Sequence, residues 1–332
     1  MKKTIQFTAE NLKNNKKIAD GILGLAIGDA IGVPFEFMSR TELKASPAVD
    51  LKGYGAHDQP PGTWSDDSSL TFCLAEALTE EFSLRKIANN FVLWRSGILW
   101  TPHGSVFDIG LQTNKSIDTL QKILNEEDYE SLKFLRYEAD EYTNGNGSLM
   151  RILPLYYVLK KKSIEEDFDL VWEVSALTHG HIRSAIACLI YLIMIDELMD
   201  GKKKQIAYNR TKERIGSFFT KRNISKREIE IFDRIIKHNI EFLSEEEIQS
   251  SGYVIHSLEA SFWCFLNSET YEEAVLKAVN LGEDTDTTAA IVGGLAGVYH
   301  GSQAFPKNWY DSLSRIDEIE LLCKKLESKF SD

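Results

Sequence analysis

Hydrophobic positions along the chain recur mainly at helical spacing. Leu70, Cys73, Leu74, Ala77 and Leu78 form the i, i+3, i+4 stripe of an amphipathic helix. Ile229, Phe232, Ile236, Ile240 and Leu243 repeat that spacing and predict another. Ser163–Glu166, Ser225–Glu228 and Ser244–Glu247 each place Glu three residues after Ser, the signature of a capping box at a helix start. Alternation with period two, bounded by turns, is absent, so a sheet has no support. The pattern predicts an all-α fold. Two stretches depart from it. Residues 39–64 hold Pro47, Gly53, Gly55, Pro60, Pro61 and Gly62 and read as a long loop, of the kind that is more often functional than idle. Residues 100–110 are the second. Residues 201–226 turn basic and polar without a Gly/Ser/Pro linker, which fits a solvated helix pair or loop better than a domain boundary. A compact multi-helix single domain over 17–330 is expected, preceded by a short polar extension, 1–16.

Composition narrows the partners more than the fold. Hydrophobic residues make up 43% of the 332, enough to build a core and exclude wholesale disorder. Fifty acidic against 38 basic side chains give a net charge of −12, which argues against a general electrostatic grip on nucleic acid. An anionic small substrate stays open, because a bound metal or oriented N–H groups can reverse the field locally. Cys73, Cys188, Cys264 and Cys323 form no CxxC pair and read as buried free thiols. The polar stretch 1–15 lacks the apolar core of a signal peptide. The longest apolar run, 185–195, has 11 residues, short of the roughly 20 that span a bilayer. A cytoplasmic protein without a membrane partner is expected; nothing in the sequence sets its oligomeric state.

Two segments stand out chemically. Gly62-Thr63-Trp64-Ser65-Asp66-Asp67-Ser68 joins the Pro/Gly loop to the Leu70 helix, and Gly282-Glu283-Asp284-Thr285-Asp286-Thr287-Thr288 opens an apolar, glycine-rich helix. Carboxylates beside hydroxyls are the hard oxygen donors that Mg²⁺, Mn²⁺ or Ca²⁺ prefer. The same residues at a helix start also cap free N–H groups. Four clustered carboxylates would repel without a cation, so a meeting of the two segments in space would imply metal. A third segment, residues 21–36, is a small-residue helix ending at Pro34. It carries Asp29 within an apolar stretch, where a carboxylate needs a capping or ion-pair partner, and is followed by Glu36. A fourth, Asn144-Gly145-Asn146-Gly147-Ser148-Leu149-Met150-Arg151, reads as a turn leading into a helix, with N–H groups and amides suited to phosphate or ribose oxygens.

In this order, GILGLAIGDAIGVPFEF, GYGAHDQPPGTWSDDSSL, VFDIGLQT, NGNGSLMR, THGH and GEDTDTTAAIVGGLAG resemble the ADP-ribosylglycohydrolase family over nearly the whole chain. That family includes the dinitrogenase-reductase-activating glycohydrolase and the ADP-ribosylarginine and ADP-ribosylserine hydrolases. The resemblance implies a single all-α domain with two divalent ions, Mg²⁺ or Mn²⁺, at the bottom of a cleft. By resemblance the metal ligands are Ser65, Asp66, Asp67, Asp284, Asp286 and Thr287. Glu36 falls on a mobile flap, and the catalytic carboxylate is Glu36 or one of Asp66 and Asp67. Gly145, Asn146, Gly147 and Ser148 fall on the loop that holds ADP-ribose, and Asp108 and His179 are further substrate contacts. The implied partner is an ADP-ribosylated protein or a small ADP-ribose conjugate, and the implied reaction is hydrolysis of its glycosidic bond. One departure is Ser-Asp-Asp-Ser where Thr-Asp-Asp-Thr is usual, which keeps the hydroxyl but loses the methyl that fixes its rotamer. A non-catalytic, crystallin-like ADP-ribose binder and a metal-dependent phosphohydrolase are the alternative readings.

Overall fold

The structure, a computed structural model, describes residues 9–330, with side chains from residue 16 onward. Among the described residues there are fifteen α-helices and no strands, only the isolated bridges Tyr54–Gln59 and Gly145–Tyr253. The helices are α1 (Ala9–Gly32), α2 (Arg40–Ala45), α3 (Asp66–Leu78), α4 (Leu84–Arg95), α5 (Leu111–Asn125), α6 (Phe168–Ala176), α7 (Ile182–Met199) and α8 (Lys204–Lys221). They continue with α9 (Lys226–Glu230), α10 (Asp233–Ile236), α11 (Val254–Leu266), α12 (Tyr271–Val279), α13 (Thr285–His300), α14 (Lys307–Ser312) and α15 (Ile316–Phe330). One buried hydrophobic cluster runs from Ile18 to Leu326 through every helix but α9, whose half-buried Ile229 packs against it, as a single all-α domain requires. The boundary expected at residue 17 falls inside α1, and residues 1–8 of the expected extension lie outside the described residues.

The axis of the fold is the antiparallel pair α1–α13. Gly24 and Gly28 on α1 meet Gly293 and Ala289 on α13 so closely that backbones touch. A methyl group built at Gly28 would lie 2.2 Å from the Ala289 carbonyl oxygen, and one at Gly293 2.2 Å from that of Gly24. The same stripe ends with Gly32 against the Asp286 backbone, where an added Cβ would be 2.4 Å from the Asp286 Cα. Small residues on one face of each helix thus fix its depth and register on the other. They also bring the C-terminus of α1 to the N-terminus of α13. The stretch Lys16–Phe35 is the one among the described residues long and apolar enough to cross a bilayer, and beyond Lys16 and Lys17 it is buried inside the fold.

Local structure departs from the expected pattern in four places. The stripe from Ile229 to Leu243 is not one helix but α9, α10 and a 3-10 turn at Ile240–Phe242. The Tyr208 hydroxyl donates to the Ile235 and His238 carbonyls, which a continuous helix would use for itself. Ser163 makes no cap bond, Ser225 accepts from the Glu228 N–H, and Ser244 with Glu247 forms a full capping box over a 3-10 turn. The loop 39–64 contains α2, opened by a capping box between Ser39 and Glu42. The Asn144–Arg151 segment leads into a 3-10 turn, Leu153–Val158, rather than an α-helix.

Valine at Gly28 or Gly293 should lower stability to urea by about 3 kcal/mol, because the overpacked neighbour is backbone and cannot repack. Gly216→Ala, in α8 with open space around its Cα, should instead raise stability by about 0.5–1 kcal/mol. Equal effects at all three positions would show that helix propensity, not interhelical approach, governs them.

Candidate active site

Asp29 is the first piece of the site. It projects from α1 into the interior, fully buried, and accepts from the Ser65 N–H (2.9 Å), the Ser68 N–H (3.0 Å) and the Ser68 hydroxyl (2.5 Å). It therefore caps α3 from another helix, which is the capping role open for it in the sequence. Burial raises its carboxyl to about 6 although these donors pull it down. Anchored by Asp29, the mouth of α3 faces the mouth of α13. The Thr287 hydroxyl lies 3.3 Å from Asp67 Oδ2, and Asp29, Asp67 and Asp286 each bring an oxygen within 4.8 Å of the other two. Glu36, Asp284 and Asp286 form a second such group.

The two mouths thus meet, as the metal reading requires. Burial is the main cause holding the Asp66, Asp67 and Asp286 carboxyls well above their ordinary range, and neighbouring carboxylates add to it: Asp67 at Asp66, Asp29 at Asp67, Glu36 and Asp67 at Asp286. Asp67 Oδ1 and Asp286 Oδ2 are buried and have no hydrogen-bond partner. Unpartnered carboxylate oxygens aimed into a cluster of like charge fit a hard divalent cation. Ser65 is turned differently from the rest. Its hydroxyl donates to Asp67 Oδ2 (2.9 Å) and accepts from the Asp67 N–H, so it caps α3 and orients Asp67.

A cleft of about 580 Å³ opens over this floor. Glu36, Asp66, Asp108, Asp284 and Thr287 line it together with Gly145, Asn146, Gly147 and His179. The exposed side chains of Phe37 and Leu111 stand at its edge. The Asn146 N–H is used by the Gly252 carbonyl, and its side-chain amide donates to Asp284 Oδ2 (2.7 Å) and the Ser257 hydroxyl (2.8 Å). Asn146 therefore orients a carboxylate as well as lining the cleft. Ser148 does not reach the cleft; it is fully buried, accepting from Ser175 and beside Cys188.

Glu36 is more constrained than a free flap. Phe37 donates its N–H to the Glu283 carbonyl (2.8 Å), and Glu283 donates to that of Met38 (2.7 Å), with Phe37 and Glu283 both at positive φ (66° and 62°). Arg40 next along donates to the carbonyls of Leu281, Glu245 and Ile248. Burial raises the Glu36 carboxyl to about 7, against the pull of a short hydrogen bond from His57. His57 also lies 3.9 Å from Asp108 and between the rings of Phe37 and Phe107. Sequence reasoning passed over His57. Its one signal was a lone imidazole in a Pro/Gly loop already marked as functional.

The ADP-ribosylglycohydrolase family model matches residues 10–332. The protein named ADP-ribosylarginine hydrolase Tri1 from Serratia proteamaculans (strain 568) is 29% identical, over 93% of this chain and 78% of its own. The ADP-ribosyl-[dinitrogen reductase] glycohydrolase of Rhodospirillum rubrum is 25% identical over 90% of each. Among solved structures, one titled "ADP-ribosylglycohydrolase-related protein complex" superposes with a TM-score of 0.77 at 26% identity, covering 96% of this chain and 99% of that one.

The crowded carboxylates make two stability predictions. Asp286→Asn should stabilise the metal-free protein at neutral pH, by about 1.4 kcal/mol for each unit by which folding raises the Asp286 pKa. The folded state disfavours the ionised form, so the gain vanishes at low pH, where the wild-type carboxyl is protonated, and grows as pH rises. Wild type should also gain melting temperature with millimolar Mn²⁺ or Mg²⁺, and Asp286→Asn should lose most of that gain. Thermal melts with and without EDTA, from pH 4 to 8, check both.

Proposed function

The chain belongs to the ADP-ribosylglycohydrolase family and is a glycosidic-bond hydrolase, and on that footing we propose that it uses two divalent ions, Mg²⁺ or Mn²⁺, to release ADP-ribose from a modified protein side chain. The observation that carries this reading is the pair of unpartnered carboxylate oxygens, on Asp67 and Asp286, where two helix mouths meet below the cleft. Asp66, Asp67, Asp284, Asp286 and Thr287 would hold the ions, with Ser65 orienting Asp67. Asp29 lies close enough to join them. Bound there, the ions supply Lewis-acid stabilisation of charge at the distal ribose.

This chain's own groups do the rest. Glu36, with a carboxyl near 7, is poised to take a proton from the attacking water at neutral pH, as a general base should be. Cleavage at the anomeric carbon develops oxocarbenium character, which the surrounding carboxylates favour electrostatically. Asn146 and the glycines beside it, with His179 and Asp108, would place the ADP-ribose. For the acceptor we favour a guanidinium. Asp108 and Glu283 make the mouth acidic, which suits a cationic leaving group, and the relative from Serratia proteamaculans is named for arginine.

A panel of ADP-ribosyl-arginine, ADP-ribosyl-serine and O-acetyl-ADP-ribose, assayed with Mg²⁺, Mn²⁺ and EDTA, tests the reading. Arginine linkage should be cleaved at least tenfold faster than the others, and EDTA should abolish turnover. Full activity after exhaustive EDTA treatment would end the metal reading. Glu36→Gln should lower kcat by about 10²–10⁴-fold while leaving ADP-ribose affinity nearly unchanged, because the lost charge acts in the transition state. Wild-type kcat in that variant would move the base to the Asp66–Asp67 pair.

A further inference from the structure

His179 faces the cleft, and the groups behind it determine what it can offer there. Its Nδ1 lies 3.0 Å from the Thr178 hydroxyl oxygen. That oxygen also receives a hydrogen bond from Arg151 Nη2 at 2.9 Å. Arg151 is fully buried in an unusual setting. Among the described residues it has no carboxylate partner. Its Nη2 donates to the Val174 and Ser175 carbonyls and to Thr178, and its guanidinium lies over the Phe91 ring at 4.7 Å. Burial lowers it only to about 10, so it is a cation at neutral pH and always a donor.

The consequence is a matter of counting protons. A hydroxyl has one proton and can accept two hydrogen bonds. Thr178 accepts from Arg151, and its own proton has His179 Nδ1 as the available acceptor. The opposite arrangement, with a proton on Nδ1, would leave the buried Thr178 hydroxyl without an acceptor. A doubly protonated ring is excluded by burial and by the nearby Arg151 charge, which together lower His179 to about 3. We propose that Arg151 and Thr178 are positioning residues that hold His179 as the Nε2–H tautomer, so that it presents a neutral hydrogen-bond donor to an oxygen of the anionic substrate. Nε2 is the nitrogen turned toward the glycine loop. A Cβ built at either Gly145 or Gly147 would come within 3.2 Å of it, and the Gly147 Cβ would also lie 2.5 Å from Cε1. Glu36, Asp66, Asp108, Glu283 and Asp284 all bring acceptors to this cleft. A fixed uncharged donor in the same cleft gives a phosphate or ribose oxygen a place that those carboxylates cannot. The identity of that oxygen's owner rests on the ADP-ribose reading above; the tautomer does not.

The test uses the full-length protein labelled with ¹⁵N-histidine. Long-range ¹H–¹⁵N correlation spectra separate the two tautomers, and His179→Gln identifies the resonance by its loss. Wild type should show the Nε2–H pattern, unchanged between pH 6 and 8. Thr178→Val, close in shape but unable to hydrogen bond, should shift His179 toward the Nδ1–H form or a mixture and weaken ADP-ribose binding in calorimetry about tenfold. Thr178→Ser should restore both the tautomer and, within about threefold, the affinity. An Nδ1–H pattern in wild type overturns the proposal without any variant. So does a folded Thr178→Val protein that keeps both the wild-type pattern and the wild-type affinity. If wild type itself fails to bind ADP-ribose, the substrate reading falls, and the spectra still decide the tautomer.

Discussion

Everything at the site depends on how closely α1 and α13 approach. With backbone atoms in contact at Gly24, Gly28 and Gly293, the two helices cannot slide or separate without losing dispersion contacts along their whole length. That contact delivers Asp29 to the start of α3, and Gly32 to the backbone of Asp286. Three acidic segments, distant in the chain, converge because one apolar interface has a single register. The glycines therefore belong to the chemistry as much as the aspartates do, although none of them carries a functional group.

The converging charges are expensive in isolation. A buried carboxylate without a counter-charge shifts its pKa until it is neutral, and Asp66, Asp67 and Asp286 all shift in that direction. The hydrogen bonds the fold does supply are distributed unevenly. Asp29 receives three donors and Asp284 receives Asn146. One oxygen each of Asp67 and Asp286 receives none. Stability is thus given up at the centre of the fold and offset by the large apolar core around it.

The all-α class was legible because helical spacing recurs in stretches such as Leu70–Leu78 and period-two alternation is absent, although the central helices α7 and α13 are buried nearly all round. The two acidic mouths were legible because their chemistry is local in sequence. What was not legible depended on distant partners. The Tyr208 hydroxyl, contributed by α8, splits the Ile229–Leu243 stripe although the stripe's own spacing is sound. The Ser39–Glu42 box carried the same Ser-x-x-Glu signal that was read elsewhere, but the prolines and glycines around it pointed to loop. Ser148 shares a motif with Asn146 yet faces the opposite way, since neighbouring residues in a tight turn point to different sides. His57 acquires its place only when three loops are brought together. Asp29 showed itself as an anomaly within an apolar run, and its meaning required knowing which helix start lay opposite.

The coupled turns at Phe37 and Glu283 have a further consequence. Each holds a non-glycine residue in left-handed backbone conformation, storing roughly 1–3 kcal/mol. They are held by two reciprocal hydrogen bonds, worth about 0.5–1.5 kcal/mol apiece. Unfastening the pair would release the strain along with the bonds, but it would also give up the hydrogen bonds of Arg40 to the carbonyls of Leu281, Glu245 and Ile248. The turn that carries Glu36 is in this respect a clasp closed against its own backbone strain and pinned from beside it. Its two catches and the Arg40 anchor hold one short segment, so Glu36 keeps its place only while all of them stay made.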